Sequence, residues 1–175
     1  LGLLSFPRKT RELRIEPWRD EPMVLVCPAD HPFAVRPPLT LNELDGQPFV
    51  AFDADLAIRK HIDAFLRRHR VKVNAAISFD NIEFIKRGVE TGAGVAILPE
   101  PSVRNEVANG SLRIARIPKM DLARPLSIIS RQGQPLSPAA EAFVRILRLG
   151  PSGAVPRGAS GEARPSRREA DSFWE

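Results

Sequence analysis

The 175-residue sequence predicts an α/β fold, with a mainly parallel sheet carrying helices on its faces, and three observations lead there. The run Gly88-Val-Glu-Thr-Gly-Ala-Gly-Val-Ala-Ile-Leu-Pro99 closes a helix, turns on glycine and enters a short, wholly apolar strand. A helix feeding straight into a buried strand is half of an α/β crossover unit. Between residues 48 and 117, apolar patterns of helical period alternate with short strand-like runs. The hydrophobic content of 43% is sufficient for a real core in a chain of this length.

Taken in order, residues 1–7 read as the end of a buried strand running into a loop, and residues 8–14 as a charged connector. Residues 16–22, with Pro17 and Pro22, form a bend before a second buried strand at 23–27. Residues 28–33 are a proline-punctuated turn. Residues 39–44 make one helical turn with Thr40 as cap, ending at Asp45-Gly46, and 48–52 are a short strand. From Asp55 an amphipathic helix follows, because Ile58, Ile62, Phe65 and Leu66 repeat at i, i+4, i+7 and i+8, with Asp53 or Asp55 as its cap.

Residues 71–79 alternate loosely as a strand. Asp80-Asn-Ile-Glu83 has the form of a capping box, so a helix is expected from Asn81 with Asp80 as cap and Ile82, Ile85 and Val89 on one face. Gly92 suits a left-handed helix end, Gly94 a close approach of two backbones, and residues 95–98 a buried strand stopped by Pro99. Pro101 lies near the first turn of the next helix, with Val103 and Val107 inward and Gly110 as terminator. Strands are expected at 112–117 and 126–130. Ser137-Pro138 starts a last helix, with Ala139, Phe143, Ile146 and Leu147 along one face. Residues 150–175 carry little to bury and are expected to be disordered; their four Arg balance four Asp plus Glu, so the formal net charge of +5 belongs to residues 1–149.

These properties narrow the function. No apolar run approaches the roughly 20 residues that cross a bilayer, and the first six residues lack the charged leader of a signal peptide, so a soluble cytoplasmic protein with no membrane partner is expected. The single Cys27, in an apolar run, reads as a buried reduced thiol. Arg67, Arg68, His69, Arg70 and Lys72 form one dense basic cluster at a helix end, where cations complement the helix dipole; a partner contact is the alternative reading. Tyr is absent and no aromatic residue interleaves with that cluster, which leaves stacking on single-stranded bases without support. His31, His61 and His69 show no metal spacing and read as surface or packing residues. Ser102, Ser130 and Ser137 lack a nucleophile-elbow context, and Gly92-x-Gly94 follows a helix rather than a strand, the reverse of a dinucleotide loop. No enzymatic constellation, metal or cofactor is therefore expected.

Several marks together resemble the effector-binding domain of LysR-type transcriptional regulators. They are Gly2-Leu-Leu with Pro7; Trp18-Arg-Asp-Glu-Pro-Met-Val-Leu-Val-Cys-Pro with His31-Pro-Phe-Ala34; Leu41-x-x-Leu44; Gly92-Ala-Gly-Val-Ala-Ile-Leu-Pro99; Gly110-x-Leu112; and Leu136-Ser-Pro-Ala-Ala-x-x-Phe143. The resemblance covers residues 1 to about 149. It implies a type II periplasmic-binding-protein-like fold: two Rossmann-like lobes, two crossover segments at 23–28 and 117–126, and a small-molecule effector in the cleft between the lobes. Residues 1–28 plus 123–149 would form a partial first lobe, and 29–122 the second. The family's winged helix-turn-helix, linker helix and opening βαβ portion have no counterpart in this sequence. The expectation is thus a truncated chain or a remnant that cannot bind DNA by itself, with an exposed sheet edge and poor stability in isolation. In the full-length protein the resemblance implies a homodimer or homotetramer that reaches DNA through the missing N-terminal domain. A solute-binding protein of a transport system is the alternative.

Effector-binding candidates follow from the resemblance and from the anion affinity of helix N-termini. They are Asp53, Ala54 and Asp55 with Arg59 at one turn, Asp80, Asn81 and Ile82 at the second, and Ser5, Phe6 and Pro7 opposite. Asp53 and Asp55 oppose an anion at the same donors while Arg59 offsets them, so acid, neutral and cationic effectors stay open. Helix capping is the plain alternative for Asp53, Asp55 and Asp80.

Overall fold

The computed structural model describes residues 1–36, 38–118 and 120–149; the expected disordered tail lies outside them. Two separately packed units are present, Leu1–Gln134 and the segment beginning at Pro135.

The first unit is organised on strand β2 (Leu13–Pro28), sixteen residues long. Its first half pairs antiparallel with β7 (Ala123–Arg131), which in turn pairs antiparallel with β1 (Gly2–Ser5). Its second half pairs antiparallel with β5 (Ala96–Pro99) and β6 (Leu112–Ala115). The expected bend at 16–22 is therefore strand throughout, whereas the expected connector at 8–14 holds as a connector up to residue 12, with only Leu13 and Arg14 drawn into β2. The ladder to β7 holds the segment extended despite Pro17 and Pro22, and a bulge between Pro17 and Arg19 absorbs the irregularity.

Parallel pairing is confined to β3 (Pro48–Phe52) and β4 (Asn74–Phe79), with a parallel bridge from Phe49 to Val95 carrying β3 toward β5. The expectation of a mainly parallel sheet is corrected here. β2 returns against three strands in the opposite sense, and no periodicity in a single strand reveals its neighbour's direction. The α/β class itself stands, since α2 (Ala57–Arg68) joins β3 to β4 and α3 (Ile82–Glu90) joins β4 to β5. A short helix α1 (Pro32–Val35) replaces part of the predicted proline turn, with His31 Nδ1 accepting from the Phe33 N–H at 3.1 Å.

The core gathers around the second half of β2, β3, β5, α2 and α3. Leu25, Val26, Val50, Ile62, Ile85, Val89, Ile97 and Leu98 are buried there, as the periodicities require. Gly94 (φ +153°) brings its Cα against β3: a Cβ would sit 2.4 Å from the Pro48 carbonyl oxygen, while Val95 N–H donates to that same oxygen at 2.9 Å. Gly92 (φ +79°) follows the α3 cap as expected. Thr40 and Glu43 form the capping box of the 3-10 turn Leu41–Leu44, and Gly110 (φ +85°) ends α4 (Arg104–Asn109).

Two expectations of burial fail. β1 is not a buried strand, because Leu3 and Leu4 are 45% and 43% exposed and its outer edge pairs with no described strand. In the second unit, α5 (Pro138–Leu149) starts as predicted, with Ser137 Oγ accepting from the Ala140 N–H at 3.3 Å. Its predicted inward face is nevertheless open, with Phe143 46% and Ile146 65% exposed and only Val144 buried. An apolar stripe states which face needs cover; it does not supply the cover.

Candidate functional site

Parallel pairing of β3 and β4 sets their carboxyl ends side by side, with Phe52 opposite Phe79. Each strand then turns directly into a helix, so the two turns share one edge of the sheet. Crevices at the carboxyl ends of strands are where α/β sheets bind ligands.

The first turn is Asp53-Ala54-Asp55-Leu56. Asp53 is locked to the neighbouring strand: its N–H donates to the Phe79 carbonyl at 3.0 Å, and its Oδ1 accepts from Ser78 Oγ at 2.6 Å. Asp53 and Asp55 therefore do not cap α2. The cap residue is Leu56, whose extended backbone (φ −72°, ψ 139°) opens the helix without any side-chain hydrogen bond. Its first-turn N–H groups carry the partial positive charge of the helix start with no carboxylate laid across them. Arg59, one turn on, braces this turn from inside: Nη1 donates to the Phe52 carbonyl at 2.7 Å and Nε to the Asp63 carboxylate at 2.9 Å. Ala54 and Asp55 are exposed.

The second turn is Asp80-Asn81. The cap of α3 is Asn81 rather than Asp80, since Asn81 Oδ1 accepts from the Phe84 N–H at 3.0 Å and Ile82 is the first helical residue. The carboxylate-x-x-Glu pattern pointed one residue early because Asn81 competes for the same position and is an equally good cap. Asp80 is exposed and Ile82 is half-buried.

Opposite the start of α2 stands the loop after β1. Ser5 ends β1, paired with Leu126; Phe6 adopts φ 52°, in the left-handed region; and Pro7 follows, half-buried. Phe6 meets α2 through His61, ring centroid to ring centroid 5.0 Å. His61 Nε2 also donates to the Ala123 carbonyl at the start of β7, at 2.9 Å. A carbonyl only accepts, so Nε2 carries the proton. Burial holds the His61 imidazolium below its ordinary pKa, against the opposing effect of the Ala123 carbonyl and with a smaller contribution from Arg68.

The structure thus ties Asp53 to the end of β4 through Ser78 and Phe79, and Phe6 to α2 through His61. Ser78 and His61 were missed as site residues. For His61 a signal existed: it lies three residues after Ile58 and four before Phe65, alongside the helix's apolar stripe rather than opposite it. Elsewhere, Cys27 is fully buried as expected, its thiol pushed up to about 11 by burial, with Arg113 acting the other way. Among the described residues no group of His, Cys, Asp and Glu is arranged to hold a metal, and no helix is long and apolar enough to cross a membrane.

Against known proteins, the model of the family described as LysR substrate binding domain matches residues 1–150. The chain is 33% identical over 141 residues to "Probable RuBisCO transcriptional regulator" of Cyanophora paradoxa, covering 78% of this chain and 44% of that protein. It is 30% identical over 127 residues to "HTH-type transcriptional regulator CbbR" of Rhodospirillum rubrum, covering 73% and 42%. The chain therefore spans less than half the length of these relatives. Among solved structures, the CcmR regulatory domain of Synechocystis PCC6803 in complex with 2-PG aligns with a TM-score of 0.74 at 24% identity, over 83% of this chain and 70% of that one. The effector binding domain of QuiR in complex with shikimate aligns with a TM-score of 0.70 at 17% identity, over 82% and 67%.

Proposed function

The chain belongs to the LysR substrate-binding-domain family, and from that premise we propose that it is the sensor of a transcription regulator that takes a small anionic metabolite into an inter-lobe cleft. Residues 1–28 with 123–149 form one lobe on this reading and 29–122 the other. The carrying observation is the start of α2, a helix of twelve residues opened by Leu56 without a side-chain cap and facing Phe6 across His61. Uncapped first-turn N–H groups suit a carboxylate or phosphate oxygen. The effector contacts are Ser5, Phe6, Pro7, Ala54, Asp55, Asp80, Asn81 and Ile82, with Asp53 and Arg59 as braces rather than ligands. Asp53 offers less opposition to an anion than the sequence implies, because Ser78 donates to its carboxylate.

Effector binding works as a switch only to the extent that the closed arrangement binds more tightly than the open one. The relatives' names support a transcription regulator, one of them of the helix-turn-helix type. On this reading the protein is cytoplasmic and non-enzymatic, works as a dimer or tetramer, and contacts DNA through a helix-turn-helix outside this chain. A transport solute-binding protein finds no support in those names.

2-Phosphoglycolate, which carries both a carboxylate and a phosphate, is the first probe. Millimolar 2-phosphoglycolate is expected to raise the thermal midpoint of the 175-residue chain by several degrees, with inorganic phosphate doing less. Ala57→Pro removes one first-turn donor at a position where proline preserves the helix, and is expected to weaken that binding at least five-fold. Undiminished binding by Ala57→Pro, or no response to either anion, would overturn the anionic site.

A further inference from the structure

We propose that His61 is an inter-lobe latch, a positioning residue that ties both the loop after β1 and the start of β7 to the first turns of α2. The inference rests on the two-lobe reading above and assigns that cleft its mechanical link. Two contacts made by one side chain carry it: the ring lies 5.0 Å from the Phe6 ring, tilted by 52°, and Nε2 lies 2.9 Å from the Ala123 carbonyl oxygen. Helix α2 starts on one side of the cleft, and both partners belong to the other side or to the crossover.

Phe6 is an independent mark of the same place. It is one of two non-glycine residues with positive φ among those described, and a bulky side chain adopts that region only when its surroundings over-determine it.

Ala123 is equally well placed to transmit a pull. It pairs with Pro22, next to the Glu21–Arg124 pair, and the Met23 N–H donates to the Leu122 carbonyl at 2.9 Å. The latch thus ends on the ribbon formed by the two crossover strands, about which lobes would rotate. A ligand that shifts the start of α2 toward Phe6 loads that ribbon through His61, with no contact of its own to it.

Amide hydrogen exchange on the ligand-free 175-residue chain tests the latch, using two variants that each keep one contact. His61→Phe retains the ring packing and loses the donor, so at least a five-fold faster exchange is expected at residues 122–124, with residues 5–9 near wild type. His61→Gln loses the ring, and the faster exchange is expected at residues 5–9. The amides of Ile85 and Val89 in α3 report the core and should not change. No acceleration in either segment overturns the latch, and so does a uniform acceleration that includes α3, which would make His61 a core residue. Because no ligand is present, failure of 2-phosphoglycolate to bind would sink the effector reading and leave the latch standing.

Discussion

At the scale of single residues, the sharpest constraint is Gly94. Its φ of +153° is open to glycine alone among the common residues, and a methyl group there would meet the Pro48 carbonyl oxygen at 2.4 Å and the Phe49 nitrogen at 2.9 Å. Both clashes are with backbone, so no rotamer change relieves them. Gly94→Ala is expected to cost about 3 kcal/mol, read as a lower urea midpoint with unchanged slope. Gly92→Ala is a fair comparison, with a positive φ but open space around the Cα, and should cost about 1 kcal/mol. The role of both glycines was legible in the sequence because each sits between a helix pattern and an apolar run. The capping roles were less so: Asp53, Asp55 and Asp80 are all competent caps, and which residue caps depends on where the preceding strand releases the chain.

At the scale of elements, α3 is joined to the segment after β5 by ion pairs centred on the buried Lys86. Lys86, 7% exposed, donates from Nζ to the Ser102 carbonyl at 3.2 Å and to Glu106 Oε1 at 2.9 Å, and also pairs with Glu83 at 2.9 Å. Burial by itself would lower the Lys86 pKa, yet hydrogen bonds to Glu106 and Glu83 outweigh it and raise it. The Glu106 carboxyl is held below its usual value, first by the Lys86 hydrogen bond. Lys86→Met removes the cation and strands the carboxylate, for an expected loss of about 3 kcal/mol, whereas Lys86→Met with Glu106→Leu should regain at least half. The sign of the pH dependence follows. The lowered Glu106 contributes stability above its unfolded value of about 4.3, lost as pH falls through its folded value; the raised Lys86 contributes below about 10.4, lost as pH rises through its own. The gap between wild type and Lys86→Met should therefore be widest between those limits and shrink toward pH 3, as urea midpoints would show.

At the scale of the whole first unit, β2 is the strand that pairs with β5, β6 and β7, and its longest ladder is with β7. In the antiparallel ladder between them, Glu21 stands opposite Arg124; it is 4% exposed and accepts from Arg19 Nη2 at 2.6 Å and from Arg124 Nε at 3.1 Å and its Nη2, while Arg19 also lies over the Trp18 ring at 4.3 Å. Arg124 is half-buried, so water replaces this partner only in part. Glu21→Gln keeps the shape and one acceptor but leaves the guanidinium uncompensated, and should cost roughly 2 kcal/mol in urea unfolding. An equal or higher midpoint would show that the β2–β7 ladder does not depend on this charge.

The sequence by itself determined where most helices and strands lie, which residues of α2 and α3 turn inward, the turn at Gly92 and Gly94, and the family. Those features are local, written in apolar period and in residues that tolerate special backbone angles. It also pointed to both strand-to-helix turns of the candidate site, because each turn lies within a few residues of its own helix. Only the tertiary structure decided the antiparallel pairing of β2 with three strands, the open faces of β1 and α5, and the meeting of Phe6, His61 and Ala123. Those depend on which segments distant in the chain come to lie together, and His61 is separated from its two partners by 55 and 62 positions. No local pattern encodes a contact of that kind, since the same histidine beside an apolar stripe is equally compatible with solvent, a core or a hinge.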